Sequence, residues 1–188
     1  MNPEIELPDD INPDELTEDV LAELPGLLSE RTLKRLDARN KLIEKGNEIL
    51  PQVYKLVDSK HRQLRWEAAQ IVKAMASADA IPKLLSLLSD YESDIRWIAA
   101  EGLIELGRAS LIPLLKYVLD HVTDPYIKNG AHHVLREVLN RHERAENRDL
   151  LHALNNYQET GETTPHRATE LLNKLQSEQQ EEDQTNIP

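Results

Sequence analysis

The sequence contains no cysteine and no phenylalanine, and only 4% of its residues are aromatic. The absence of cysteine excludes disulfides, thiol nucleophiles and cysteine-ligated zinc or iron–sulfur centres. Only six of the 188 residues are glycine, which disfavours an all-β fold with many tight turns. No apolar run reaches the length of about 18 residues that a membrane-spanning helix needs. The acidic first residues also lack the apolar stretch of a secretory signal, so we expect a cytoplasmic protein without a membrane partner.

Basic side chains are scarce and unevenly distributed. The chain has 34 acidic and 22 basic residues, which gives a formal net charge of −12. Residues 1–30 hold ten carboxylates and no lysine or arginine, whereas residues 31–150 hold twenty basic and seventeen acidic side chains. The overall deficit of positive charge disfavours nucleic acid as a partner. The basic stretch over residues 31–45 could bind an acidic molecule, or it could hold the acidic N-terminal segment of its own chain, and we favour the second interpretation.

The most informative feature of the sequence is an internal repeat. Pro51, Pro82 and Pro113 are 31 residues apart, and the same step relates Trp66 to Trp97. One unit begins LRWEAAQIVKAM and the next begins IRWIAAEGLIEL, while a third begins at residue 127 after a step of 32. A more divergent unit precedes them and covers LKRLDARNKLIE. The sequence therefore predicts several copies of one structural unit in tandem.

Each unit has the apolar pattern of two helices. In the second helix of a unit, Leu64, Ala68, Val72 and Met75 follow one another at steps of four, four and three, which forms a single apolar stripe. The proline of each unit stands near the start of the shorter helix, where its missing N–H is harmless. One such hairpin cannot bury both of its sides, so neighbouring hairpins must stack. We predict an all-α fold, a right-handed α-solenoid of about four helical hairpins with capping helices.

The ends of the chain differ from the repeats. Asn12 followed by Pro13 is a typical helix start, and we expect a helix from there to about Leu24, where Pro25 and Gly26 would end it. Further helices over residues 148–157 and 165–175 should close the other end. We assign residues 12–178 to the solenoid with its capping helices, and residues 1–11 and 179–188 to disordered acidic tails.

The stretch SDIRWIAAEGLIELG (residues 93–107) resembles the second helix of a HEAT-like repeat. The residues that carry the resemblance are Asp94, Ile95, Arg96, Ala99, Ala100, Leu103 and Gly107. The 31-residue period is similar to that of the short HEAT-like repeats of the phycobilisome bilin-lyase type. The resemblance implies a solenoid and, as its function, a non-catalytic adaptor or scaffold with a protein partner. The alternative that it implies is a bilin lyase subunit or a chaperone-like factor for phycobiliproteins.

The candidate partner-binding residues lie on the second helices, opposite the apolar stripe. At 100° per residue, Trp66 points about 170° away from the stripe, and Trp97 is placed in the same way. A step of 31 before Trp66 and a step of 32 after Trp97 would align them with Arg35 and Asn129 in one row, on the concave side of a HEAT-like array. The predicted partner-binding residues are Arg35, Trp66, Gln70, Lys73, Trp97, Glu101, Asn129 and His133. The alternative is that the two indoles shield each other or pack against a terminal helix.

A second row of residues has a structural interpretation. Arg65, Arg96 and Lys128 each come one residue after the start of the apolar stripe. In HEAT-like repeats, a basic residue at this position commonly pairs with acidic groups near a turn. The candidates for that role are Asp58, Asp90, Asp94 and Asp124.

No residue pattern indicates catalysis or a bound metal. The sequence has no nucleophile elbow, phosphate loop or dinucleotide fingerprint. His132 and His133 are adjacent, so on a helix they point about 100° apart and do not share one ion easily. Deoxyhypusine hydroxylase, an iron enzyme of HEAT-like repeats, has His-Glu pairs at positions that here hold Trp66-Glu67, Trp97-Ile98 and Asn129-Gly130. We therefore predict no catalytic residues, no metal and no cofactor.

Overall fold

The computed structural model describes residues 7–156 and 162–185, and in these two ranges it contains eleven α-helices and no strand. Short 3₁₀ turns connect several of the helices. The helices are α1 (Glu18–Leu27), α2 (Thr32–Glu44), α3 (Leu50–Val57), α4 (Arg62–Met75), α5 (Ile81–Leu87), α6 (Ser93–Glu105), α7 (Leu111–Asp120), α8 (Pro125–Val138), α9 (Arg141–Glu146), α10 (Arg148–Asn155) and α11 (Thr163–Thr185).

The helices are arranged as stacked hairpins. Helices α1, α3, α5 and α7 each pack against the helix that follows them in the chain, which we call the second helix of the hairpin. The second helices α2, α4, α6 and α8 lie side by side in chain order, and α10 continues their layer. Helix α11 packs on α7 and α10 and closes this end of the array. The prediction of an all-α solenoid of about four hairpins with capping helices is confirmed.

The apolar stripe of the second helices forms the inner side of their layer. Leu64, Ala68 and Val72 have no exposed surface, whereas Met75 at the end of the stripe is only partly buried. The same core continues without interruption from α1 to α11, and it is built of leucine, isoleucine, valine and alanine. A core without phenylalanine therefore depends on close approach of the helices, which the alanines permit.

The repeated prolines lie at the start of the first helices, as their spacing predicts. Pro51 and Pro82 are the second residues of α3 and α5, and Pro113 is the third residue of α7. A 3₁₀ turn precedes each of these helices. At such positions the missing N–H of proline removes no helical hydrogen bond.

The first helix differs from its prediction. Asn12 accepts a hydrogen bond from the backbone of Asp14, but it caps only a short 3₁₀ turn over Pro13–Glu15. Helix α1 begins at Glu18 and continues through Pro25 and Gly26 to Leu27, so the expected break at these two residues is wrong. The glycine serves packing, because a Cβ atom at position 26 would lie 2.5 Å from the Cβ atom of Ala38 on α2.

Ordered structure also extends beyond the boundaries drawn from the sequence. Ile11 is buried, and the Asp10 carboxylate accepts a hydrogen bond from the backbone N–H of Lys60. Helix α11 continues past residue 178 to Thr185, and Glu178 is held 3.1 Å from Arg108. Glutamate and glutamine favour helix even where they contact nothing, which explains the extension. The remaining residues of the predicted tails, 1–6 and 186–188, lie outside the described residues, and the division into core and tails stays a prediction.

The ends of the second helices yield a first testable prediction. Gly46 and Gly107 follow α2 and α6 with positive φ angles, and Ala76 ends α4 in the same left-handed region with a φ of 43°. This conformation strains an alanine but not a glycine. Ala76→Gly relieves this strain, but glycine also gives the unfolded chain more conformational entropy, which offsets part of the gain. We expect a net rise of about 0.5–1 kcal/mol in the free energy of unfolding.

Urea denaturation of the full chain measures this effect. The matched control is the reverse change, Gly107→Ala, which should destabilise by about 1 kcal/mol. A lower midpoint for Ala76→Gly than for the wild type would contradict the left-handed assignment of residue 76.

Candidate partner-binding face

The second helices are in a register that their N-caps define. Arg31, His61, Glu92 and Asp124 are the N-cap residues of α2, α4, α6 and α8. The steps between them are 30, 31 and 32 residues, so the spacing of the repeat is not constant. Residues at the same distance from these caps occupy equivalent positions in the layer. The positions five residues after the caps hold Leu36, Trp66, Trp97 and Asn129.

The register corrects the predicted position of Arg35. A constant step of 31 aligns Arg35 with Trp66, but the first step is 30, and Leu36 is the residue equivalent to the tryptophans. Arg35 instead aligns with Arg65, Arg96 and Lys128. Its guanidinium donates a hydrogen bond to the backbone oxygen of Ser29 at 2.7 Å and lies 3.0 Å from the Glu67 carboxylate. Arg35 therefore belongs to the structural row rather than to the outward row.

The structural row has one recurring contact. Arg35, Arg65 and Arg96 each donate to the backbone oxygen six residues upstream, at distances of 2.7, 3.0 and 2.7 Å. These oxygens lie in the turn between the two helices of a hairpin, where carbonyl groups lack helical partners. The fourth member, Lys128, is buried, and its Nζ atom lies 3.4 Å from the backbone oxygen of Asn156. The row thus fastens each second helix to a neighbouring turn.

Arg65 is the most deeply buried of these arginines, with 4% of its surface exposed. Its Nε atom lies 3.1 Å from the Asp90 carboxylate, and its Nη1 atom donates to the backbone oxygens of Ser59 and Lys60. The ring of Tyr91 covers the guanidinium at 4.2 Å. Of the predicted acidic partners, Asp90 therefore pairs with Arg65. The others have different roles: Asp58 pairs with Lys83, Asp94 pairs with Arg62, and Asp124 caps α8.

Trp97, Glu101 and His133, three of the predicted partner-binding residues, lie in contact with one another. The indole of Trp97 is 58% exposed and stacks on the imidazole of His133, with ring centroids 4.6 Å apart and an angle of 23° between the rings. The Nε2 atom of His133 lies 2.9 Å from the Glu101 carboxylate. Because His133 is on α8 and the other two residues are on α6, the cluster bridges two neighbouring second helices.

Trp66 has a different environment. Its indole is half-buried and packs on the core, and the Arg39 guanidinium lies 5.6 Å from the ring centroid. The two tryptophans do not stack on each other, since the paired rings of the described residues are Trp97 with His133 and Tyr117 with His121. Among the other predicted residues, Lys73 pairs with Glu105 at 3.0 Å, Gln70 is half-buried and Asn129 is exposed.

The exposed apolar residues collect at one edge of this layer. In the ranges that the structure describes, the large apolar side chains with 40% or more of their surface exposed are Leu33, Leu36, Tyr91, Trp97 and Tyr126. Each of them lies within five residues of the N-cap of a second helix. These five residues, together with the half-buried Trp66, are called the apolar edge below. Of these residues only the two tryptophans were predicted from the sequence, although the distance of the others from the helix starts could have revealed them.

A buried carboxylate lies beneath the apolar edge. The side chain of Glu67 is 1% exposed, and it contacts Arg35 at 3.0 Å and Arg39 at 2.9 Å. Gln63 donates a further hydrogen bond to it. Burial raises the pKa of Glu67 above its ordinary value, although both guanidiniums act in the opposite direction. This network joins α2 to α4 and holds Arg39 close to the Trp66 ring.

The basic stretch of α2 contacts the acidic start of the same chain. Lys41 pairs with Glu23 and Lys45 with Asp19, while Lys55 of α3 lies 3.1 Å from Glu15. Two members of the stretch, Lys41 and Lys45, thus contact the acidic N-terminal segment, whereas Arg35 and Arg39 pair with Glu67 instead.

One family comparison matches this architecture. The HEAT repeats family matches residues 50–136, which cover α3 to α7 and most of α8. Residues 50–136 are therefore similar to HEAT repeats. The matched segment includes Trp66 and Trp97 and excludes the N-terminal hairpin with Leu36. No curated protein and no solved structure matches the chain.

Two further features of the HEAT-like array concern metals and membranes. Within residues 7–156 and 162–185, no three histidine, aspartate or glutamate side chains form a group that could hold a metal ion. In the same part of the chain, none of the helices combines the length and the apolar character needed to cross a bilayer.

Proposed function

We propose that this HEAT-like repeat protein is a non-catalytic adaptor or scaffold that binds a protein partner through the second-helix layer. HEAT repeats commonly serve as scaffolds for protein interactions. The observation that carries the proposal is the apolar edge, in which exposed aromatic and aliphatic side chains lie near the N-terminal ends of the second helices. Exposed tryptophan and tyrosine side chains often dominate the binding energy of protein interfaces.

Contacts with neighbouring residues hold side chains of the apolar edge in place, and this also favours binding. Trp97 is held by His133, and Tyr126 lies 4.1 Å from the Arg96 guanidinium, which itself bonds the Asp90 backbone. Side chains that are already ordered lose little conformational freedom when a partner docks. In a curved HEAT-like array this layer would line the concave side.

Alanine substitution of Trp97 tests the proposed function. The partner that the full chain captures from its native cell extract is first identified, and its affinity is then measured by titration. We expect Trp97→Ala to weaken binding by a factor of about 30, which corresponds to the loss of about 2 kcal/mol at an interface hot spot. Adding Trp66→Ala should weaken it further.

The matched control lies on the opposite layer. Lys116 is exposed on α7, a first helix, and Lys116→Ala should leave the affinity unchanged. An unchanged affinity for Trp97→Ala, or a larger loss for Lys116→Ala, would contradict binding through the second helices.

The second candidate function is that of a bilin lyase subunit or chaperone-like factor for phycobiliproteins. The observation that favours it is the 31-residue repeat period, which is similar to that of the short repeats in that type of protein. Visible absorbance of the full chain mixed with a bilin and an apo-phycobiliprotein distinguishes the two functions. Attachment of the bilin would favour the second candidate, whereas an unchanged spectrum would leave the scaffold function.

A further inference from the structure

The first described residues lie at the N-terminal end of α4. Leu7 packs on the core, and Pro8 lines a surface depression together with His61, the N-cap residue of α4. The Asp10 carboxylate accepts a hydrogen bond from the backbone N–H of Lys60. These contacts fix the point from which the chain continues back to residues 1–6, and they place that point at the edge of the layer where α4 starts.

The start of α2 lies at the same edge of the layer. Halfway along the two helices, the Arg35 guanidinium is 3.0 Å from the Glu67 carboxylate. Beyond their C-terminal ends, the Asn47 amide donates to the Ser77 hydroxyl at 3.2 Å, so α2 and α4 run side by side in the same direction. Six residues span up to about 20 Å, which exceeds the width of about 10–12 Å of one helix with its side chains. Residues 1–6 can therefore reach the start of α2.

The start of α2 exposes apolar side chains next to unpaired cations. The side chain of Leu33 is 79% exposed and that of Leu36 is 40% exposed, and residues three apart on a helix are neighbours on its surface. Arg31 and Lys34 flank Leu33 in the sequence and are also three apart. Within the ranges that the structure describes, neither of these two cations forms an ion pair. The patch is complementary to an apolar side chain flanked by carboxylates.

The first six residues of the chain have this complementary composition. They read MNPEIE, in which Ile5 stands between Glu4 and Glu6. The same acidic segment already pairs with α2 further along, where Asp19 lies 2.6 Å from Lys45. One exposed ion pair contributes little free energy. A segment tethered this closely nevertheless has a high effective concentration at the patch, so a few weak contacts are sufficient to hold it.

We propose that residues 1–6 bind to the start of α2, where Ile5 covers Leu33 and the two glutamates pair with the two unpaired cations. The chain itself thereby covers the α2 end of the apolar edge and leaves Trp97 for a partner. This inference does not depend on the proposed function, whose test uses Trp97 and not the α2 patch.

Carbodiimide coupling of the full chain tests the proposal, because this reagent joins a carboxylate to a contacting amine without a spacer. Lys34 is the reporting amine, and the pair of Lys45 with Asp19 is the internal positive control. A mixture of isotope-labelled and unlabelled chains distinguishes links within one chain from links between two copies. The coupled residues are identified by mass spectrometry of the digested protein.

The matched variant combines Arg31→Ser with Leu33→Ser and keeps Lys34 and both glutamates. Both substituted side chains are exposed, so the variant should keep the circular dichroism spectrum of the wild type. Chance encounters of a tethered segment with Lys34 would continue in this variant. Binding to the patch would not, because the apolar contact and one of the two cations are lost.

We expect Lys34 of the wild type to couple to Glu4 or Glu6 within one chain, in a yield similar to that of the Lys45–Asp19 link. The yield at Lys34 should fall at least about threefold in the double variant.

Three results would overturn the proposal. The first is the absence of a link from residues 1–6 to Lys34 while Lys45 couples, including the case in which Lys60 is linked instead. The second is a link to Lys34 that forms only between two copies, which would assign the patch to a second chain. The third is an equal yield at Lys34 in the wild type and the double variant.

Discussion

Replacing Arg65 with alanine is expected to lower the free energy of unfolding by about 3–5 kcal/mol, because it breaks a buried ion pair and leaves one charge without its partner. The Asp90 carboxylate is nearly as buried as the guanidinium that it faces. The backbone oxygens of Ser59 and Lys60 would lose their donor, and Tyr91 would lose the cation beneath its ring. Urea denaturation at pH 7, with the wild type in parallel, measures the change.

The control for Arg65 is the next arginine of the structural row. Arg96 donates to the Asp90 backbone at 2.7 Å and stacks on Tyr126, but it is only half-buried and forms no ion pair with a carboxylate of the described residues. Arg96→Ala should therefore cost only about 1 kcal/mol. If Arg65→Ala and Arg96→Ala lose the same free energy of unfolding, the buried ion pair of Arg65 with Asp90 adds no stability, which would contradict the prediction.

The second large effect is expected at Glu67. Glu67→Ala should destabilise the chain by about 3–5 kcal/mol, since Arg35 and Arg39 would face each other without a carboxylate between them. Both guanidiniums are mostly buried, so water compensates them only in part. The matched control is Glu105→Ala, whose carboxylate is about half exposed and pairs with Lys73, and it should cost less than about 1 kcal/mol.

A triple substitution separates the lost pairing from lost packing at this site. Glu67→Leu combined with Arg35→Met and Arg39→Met replaces the whole network by apolar side chains of similar size. Such replacements are often neutral, so the triple variant should recover most of the stability that Glu67→Ala loses. If the triple variant is as unstable as Glu67→Ala, the charged network stabilises the α2–α4 contact more than apolar side chains of similar size do.

The helices were predictable because the sequence pattern that specifies them is local. The stripe of Leu64, Ala68 and Val72 and the proline at the start of each first helix follow from the geometry of single helices. The stacking followed from the repetition of a hairpin that cannot bury both sides of itself. The prediction was wrong at Pro25 and Gly26, where close packing on Ala38 outweighs the usual helix-breaking tendency of these residues.

The candidate face was predictable only in part, because it depends on the lengths of the turns. The N-caps are 30, 31 and 32 residues apart, and one residue of difference rotates a side chain by about 100°. A constant step therefore placed Arg35 in the outward row instead of Leu36. The burial of Glu67 and the stacking of Trp97 on His133 depend on how neighbouring helices meet, which no single repeat encodes.

The second helices stack in a register that exposes Trp97 to solvent while Trp66 packs on the core. Trp66→Phe and Trp97→Phe each leave a single indole, so acrylamide quenching of their fluorescence tests the claim directly. We expect Trp97 to be quenched several times more strongly than Trp66 and to emit at longer wavelength. Equal quenching of the two indoles, or stronger protection of Trp97, would contradict it.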